Sequence, residues 1–162
     1  MKNLNITDEA VKQAFKNAGK DGKQVLTDLF GKQVSLYDNI TERVKSFEDA
    51  CQVLGISTNV PDVKGLPRKH QKAIVANYKL IIIAEALNEG WKPNWQDSDE
   101  YKYYPWFDMT KPAGVGCSYA NDAATYAAAN FGSRLCFKNR ELAIYFGQQF
   151  TDLHNESMLL NA

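Results

Sequence analysis

The stretch RKHQKAIVANYKLIIIAEAL, residues 68–87, predicts a long central helix. Its apolar side chains recur with the spacing of one helix face, at Ile74, Val75, Tyr78, Ile81, Ile82 and Ala86. Leu80 and Ile83 extend the apolar surface to other sides of the helix. Because a helix that is apolar on most sides is normally buried, we expect this one to be the spine of the fold.

The chain that follows this helix predicts a small antiparallel sheet. Side chains alternate between two faces over residues 101–109, and Pro105, which has no N–H group to donate, places this strand at an edge or at a bulge. A second strand is predicted over residues 115–119 and a third over 134–138. Asn139 then caps a final amphipathic helix that backs the sheet.

Helices are also predicted before the central helix. Thr7, Asp21 and Ser46 are of the residue types that cap helix N-termini, and an apolar stripe follows each of them. Turn-forming residues are dense over residues 56–67, which predicts a loop.

These elements together predict an α+β fold. It has a helical N-terminal part, a long central helix, and an antiparallel sheet of about three strands backed by a C-terminal helix. A chain of 162 residues suits a single domain, 1–162. The loop allows a division into a helical subdomain over 1–55, the loop 56–67 and an α+β part over 68–162.

Composition narrows the partners and the compartment. Nineteen basic and nineteen acidic residues cancel, so no overall field attracts nucleic acid or anionic lipid. The three cysteines form no CxxC pair, which favours reduced thiols in the cytoplasm. The first eight residues carry no apolar signal segment, and the apolar run Leu80–Leu87 is far shorter than the ~20 residues that span a bilayer. We therefore expect a cytoplasmic protein without a membrane partner.

The sequence offers little support for catalysis. Of its two histidines, His70 lies in the first turn of the central helix, and His154 lies near the end of the final helix, where the helix dipole favours the charged ring. Nucleophile-elbow, zinc-protease and phosphate-loop motifs are absent. Asp97, Asp99 and Glu100 favour a solvated turn over a metal site. We predict a protein that is not an enzyme and has no metal or cofactor, with an enzyme of unknown class as the last alternative.

Aromatic residues are concentrated over residues 91–107, where they make up seven of seventeen positions against 12% in the whole chain. Large flat side chains serve equally as a rigid core or as a recognition surface. Lys102, Arg134 and Lys138 come close to them in the predicted sheet. The recognition hypothesis assigns ligand binding to Trp91, Trp95, Lys102, Tyr104, Trp106, Arg134 and Lys138.

Aromatic rings between basic side chains can stack bases while the charges contact phosphate, so single-stranded nucleic acid is the first candidate ligand. The same residue types anchor protein interfaces, which makes a virion or assembly component the alternative. The oligomeric state stays open.

Four segments carry a resemblance: residues 46–51, 85–95, 99–107 and 132–138. Together they resemble small uncharacterised proteins encoded by gut bacteria and their phages. The resemblance implies an accessory protein of a phage or mobile element, and it carries no activity to transfer.

Overall fold

The computed structural model describes residues 6–31, 34, 39–110, 116–126 and 132–159, and it confirms the α+β class. The chain divides into two compact units, Met1–Arg43 and Val44–Ala162. The helical N-terminal part and the long central helix are both present.

The first unit contains helices α1 (Asp8–Asn17), α2 (Lys20–Phe30) and α3 (Ile40–Arg43). Thr7 caps α1 as predicted, since its Oγ1 accepts a hydrogen bond from the Ala10 N–H group at 3.3 Å. Asp21 does not cap α2, because the helix begins at Lys20 and the N-cap is Gly19, two residues before Asp21. A small apolar cluster stabilises this unit; it consists of Val11, Phe15 and Val34, with Leu26 and Phe30 packed against them.

The second unit is built around α5 (Arg68–Asn88), which confirms the predicted central helix. Its C-terminal half is almost entirely buried, including Leu80, Ile83 and Leu87. Helix α4 (Phe47–Leu54) packs on α5, so the two units divide at Arg43 rather than after residue 55. Residues 56–67 between α4 and α5 contain no helix or strand.

The sheet pairs β1 (Lys102–Asp108) with β2 (Gly116–Ala123) in antiparallel register. Tyr104 lies opposite Asn121, and the register shifts after Trp106. This irregularity follows Pro105, in agreement with the bulge that the proline predicts. Helix α6 (Arg140–Gln149) packs on both strands.

The predicted third strand is not formed in the described part of the chain. Gly132–Arg134 is a short 3₁₀ helix, and Phe137 alone bridges to Tyr103, through two backbone hydrogen bonds of 2.8 and 3.0 Å. The Asn88 amide of α5 takes the place of a neighbouring strand, because it donates to the Cys136 carbonyl at 2.8 Å and accepts from the Lys138 N–H at 3.3 Å.

The predicted C-terminal helix is two helices, α6 and α7 (Thr151–Met158), separated at Phe150. Asn139 caps α6 as predicted, accepting from the Leu142 N–H at 2.9 Å. Thr151 Oγ1 lies 3.0 Å from the Gly147 carbonyl, which satisfies a group that the end of α6 leaves unpaired. Helix α7 packs on α5, whereas α6 packs on the sheet.

Tyr145 and Gln149 of α6 each donate a hydrogen bond to the start of the second unit, and removal of the Tyr145 bond should be measurable. The Tyr145 hydroxyl donates to the Val44 carbonyl at 2.7 Å. Tyr145→Phe keeps the ring and leaves that carbonyl without this donor, so we expect a loss of about 1 kcal/mol in the free energy of unfolding. Urea denaturation measures it. Tyr126→Phe, at a ring that is 85% exposed, is the matched control, and equal midpoints for the two variants would contradict the prediction.

Candidate functional site

Much of the aromatic stretch packs into the second unit instead of forming an open surface. Trp91 and Trp95 are half-buried against Tyr104 and Cys136. The Trp95 indole N–H donates to the Ser133 hydroxyl at 2.6 Å. The core interpretation therefore describes these two rings better than the stacking interpretation does.

Lys102 is buried, with 0% of its surface exposed. Its ammonium donates to the backbone carbonyls of Asp97 and Glu100 and lies 3.4 Å from the Glu100 carboxylate. The Trp95 ring is 5.6 Å away. Because these groups surround the charge, Lys102 is not available to a ligand phosphate, contrary to its predicted place on a recognition surface.

Tyr104 and Trp106 differ in exposure although they lie two residues apart on the same face of β1. Tyr104 is 9% exposed and Trp106 is 45% exposed, with their ring centroids 6.4 Å apart. Burial removes Tyr104 from a stacking surface. Trp106, next to the register shift, is the ring of this pair that another molecule can reach.

The basic residues near the sheet are mostly paired with carboxylates. Lys138 Nζ lies 3.2 Å from Glu89, and Arg140 contacts Asp122 at 3.2 Å. Arg134 is exposed and makes no ion pair with the residues that the structure describes. Of the predicted recognition surface, only Trp106 remains as an exposed ring and only Arg134 as a cation without a carboxylate among the described residues. Lys138 is exposed but paired with Glu89.

The acidic group at 97–100 forms a turn, as expected. The Asp97 side chain accepts from the Asp99 N–H at 2.9 Å, and the Glu100 side chain accepts from the Asn94 N–H at 2.7 Å. No cluster of three or more His, Cys, Asp or Glu side chains suited to a metal ion occurs among the described residues.

Cys51 and Cys136 are free and buried. Burial raises the pKa of the Cys136 thiol to about 11. A thiol that stays protonated near neutral pH is a poor nucleophile, so Cys136 acts as an apolar residue of the core. The side chain of Cys117 lies outside the described part of the chain.

A cavity of about 650 Å³ lies between β1, α5, α7 and the 3₁₀ helix. The apolar part of its wall consists of Leu80, Ile81, Tyr104, Pro105, Phe107, Leu135, Phe146 and Met158. The polar part consists of Asn77, Ser133, Arg134, His154 and Ser157. Of the residues predicted to bind a ligand, Tyr104 and Arg134 line this cavity.

His154 is the chemically distinctive residue of the wall. It is 4% exposed, and its ring lies 4.5 Å from that of Phe107 and 4.8 Å from that of Phe146, centroid to centroid. Burial lowers the pKa of His154 to about 4 from the ordinary 6.5, with the Phe146 carbonyl acting in the opposite direction. The sequence had suggested that a helix dipole would favour the charged ring, but His154 is the fourth residue of the separate helix α7, and desolvation determines its pKa.

The Nε2 atom of His154 is buried and has no hydrogen-bond partner in the described structure. Buried polar atoms without a partner are rare and frequently mark a functional position. The sequence contains a signal for this site, because Phe146, Phe150 and His154 follow one another at intervals of four residues. That spacing places the histidine on an apolar stripe.

A second cavity, of about 470 Å³, also adjoins the 3₁₀ helix. Trp91, Lys92 and Pro93 line it together with Glu85 of α5. Arg134 and Ser133 contribute to the walls of both cavities. Arg134 is therefore the predicted site residue that the structure places most centrally.

Comparison with protein-family models, with curated proteins and with solved structures found no significant match to this chain. The resemblance to proteins of gut bacteria and their phages thus stays a prediction. None of the helices in the described ranges has both the length and the apolar character required to cross a bilayer.

Proposed function

We propose that this chain is a non-enzymatic binding protein that takes a small ligand into the larger cavity of its second unit. The observation that carries the proposal is the cavity itself. Its volume of about 650 Å³ falls within the range of small-molecule sites, roughly 300–1,000 Å³. Such sites combine apolar walls with a few polar groups, and both kinds of surface line this cavity, the apolar surface being the larger.

The elements around the cavity support a preformed site. Leu80 and Ile81 come from the buried half of α5, and Phe146 comes from α6, which packs on the sheet. A wall held by packed helices and a strand keeps its shape without a ligand, which lowers the entropy lost on binding.

Binding fits the wall better than catalysis does. Its described residues include one histidine and one arginine but no carboxylate. A catalytic histidine is normally oriented by a carboxylate or paired with a nucleophile within hydrogen-bond distance, whereas Nε2 of His154 has no such neighbour.

The ion pairs weigh against single-stranded nucleic acid as the ligand. A phosphate would first have to displace Glu89 from Lys138 or Asp122 from Arg140, and Lys102 is buried. Trp106 and Tyr126 are exposed rings that a nucleic acid or a protein could contact, so both partners are included in the test below.

The proposal also includes the cellular location and the genetic origin of the protein. A cytoplasmic location is supported by the unpaired thiols of Cys51 and Cys136, since reduced cysteines are typical of that compartment. An accessory role in a phage or mobile element is carried by the sequence resemblance alone, and gene neighbourhood is the observation that would test it.

The proposal predicts that a neutral apolar phenol binds in the larger cavity. We expect para-ethylphenol to shift the Trp95 signal among the three indole N–H signals in NMR spectra, because this N–H donates to Ser133 in the cavity wall. Ser157→Phe places a ring in the same cavity and should weaken binding at least tenfold.

Ser98→Phe, the same replacement in an exposed turn, is the matched control and should bind as the unaltered protein does. Equal binding by the two variants, or no shift at millimolar phenol, would refute the cavity as the site. A salt-sensitive shift of the Trp106 signal by oligothymidine would instead support nucleic acid, and a concentration-dependent oligomer would support the assembly role.

A further inference from the structure

The charged side chains that line the larger cavity favour a ligand of one charge. This inference rests on the proposed function. Arg134 is the one charged side chain in the described wall, and no carboxylate lines it. A cationic ligand would meet a like charge and no counter-ion, whereas an anionic group can form a two-pronged contact with the guanidinium.

His154 determines which second polar group the ligand needs. The Phe146 carbonyl raises the pKa of His154, as an acceptor next to a protonated ring nitrogen does. Because Nε2 is buried without a partner, we assign the proton of the neutral ring to Nδ1. Nε2 is left with its lone pair, so the histidine acts as a hydrogen-bond acceptor and requires an O–H or N–H donor.

The side chains around His154 indicate that the part of the ligand between its two polar groups is apolar. Phe107 and Phe146 pack on the ring, and apolar side chains of α5 complete the wall. Met158, one helical turn beyond His154 on α7, lines the same cavity. Its flexible thioether chain can move aside for a ligand group that approaches Nε2.

We infer that the ligand is a small organic acid with an apolar body and a hydroxyl group. Its acid group pairs with Arg134, and its hydroxyl donates to Nε2 of His154. The apolar body fills the space between β1 and α5.

Four phenyl compounds of similar size test the inference by NMR titration of the unaltered protein. They are para-hydroxyphenylacetate, which has both groups, phenylacetate, which lacks the hydroxyl, para-ethylphenol, which lacks the acid, and tyramine, in which an ammonium replaces the acid. We expect para-hydroxyphenylacetate to bind about 2- to 10-fold more tightly than phenylacetate, the range of one hydrogen bond. Tyramine should bind at least tenfold more weakly than para-hydroxyphenylacetate.

Two variants test which residue of the protein binds each polar group of the ligand. Arg134→Gln, at an exposed position where folding is not at stake, should remove the preference for para-hydroxyphenylacetate over para-ethylphenol. His154→Phe should equalise para-hydroxyphenylacetate and phenylacetate. Lys138→Gln removes an exposed cation that lines neither cavity and should leave all preferences unchanged.

The outcomes separate the inference from the proposed function. Binding of para-ethylphenol that Ser157→Phe blocks, with tyramine equal to para-hydroxyphenylacetate, would overturn the organic-acid inference and leave the cavity as a binding site. A hydroxyl preference that survives in His154→Phe would overturn the role of the histidine. If none of the four compounds binds, the proposed function and the inference fail together.

Discussion

Lys102→Met should destabilise the second unit by about 3 kcal/mol. The buried ammonium donates to the carbonyls of Asp97 and Glu100 and neutralises the Glu100 carboxylate. Methionine keeps most of the length and the apolar stem of lysine but has no donor. The substitution therefore leaves two backbone acceptors without this partner, each at about 1–3 kcal/mol.

The cost of burying the Lys102 charge acts in the opposite direction. Burying an ammonium group is itself unfavourable, and replacing a buried ion pair with apolar residues is sometimes neutral or stabilising. That result requires all partners of the charge to be replaced together. Here the acceptors are main-chain carbonyls that no single substitution removes, so we expect the loss of hydrogen bonds to dominate.

The control for Lys102 is Lys138→Met. Lys138 is exposed, and its ion pair with Glu89 is partly solvated, so its loss should cost less than about 1 kcal/mol. Urea denaturation followed by Trp fluorescence measures both variants. Similar midpoints for the two methionine variants would show that the Lys102 contacts make no net contribution.

The sequence predicted those elements whose signals are local. The spine helix α5 follows from its own apolar spacing, and α1 and α6 begin at the residues that Thr7 and Asn139 cap. The third strand failed for a non-local reason, since Asn88, 48 residues before Cys136, supplies the hydrogen bonds that a neighbouring strand would otherwise make. The division of the C-terminal helix at Phe150 comes three residues after Gly147, a residue that weakens a helix without fixing where it ends.

The candidate site was less predictable than the fold. Lysine is almost never buried without a partner, so Lys102 was expected at the surface. Its burial depends on the 97–100 turn, which places carbonyls around the ammonium. The cavity is assembled from α5, β1, the 3₁₀ helix and α7, and no single segment of sequence carries the signal of such a space.

His154 should make the folded state sensitive to acid between pH 6.5 and about 4. In the unfolded chain the ring takes up a proton near pH 6.5, whereas burial holds its pKa in the folded protein at about 4. Between these values the unfolded state binds more protons, so the free energy of unfolding falls as the pH falls. The loss attributable to this one ring is about 3 kcal/mol once the pH reaches 4, and below that pH it no longer grows.

His154→Phe removes the titrating ring while keeping a flat apolar side chain next to Phe107 and Phe146. Urea denaturation at a series of pH values from 7.5 to 4 compares it with the unaltered protein, and contributions from carboxylates cancel in the difference. The difference in unfolding free energy should shift by about 3 kcal/mol in favour of the variant as the pH is lowered. His70→Phe, the same replacement at the exposed start of α5, is the matched control. Parallel pH profiles for the unaltered protein and His154→Phe would mean that the ring is hydrated in the folded state. Nε2 would then already have a partner, and the organic-acid inference would lose its premise.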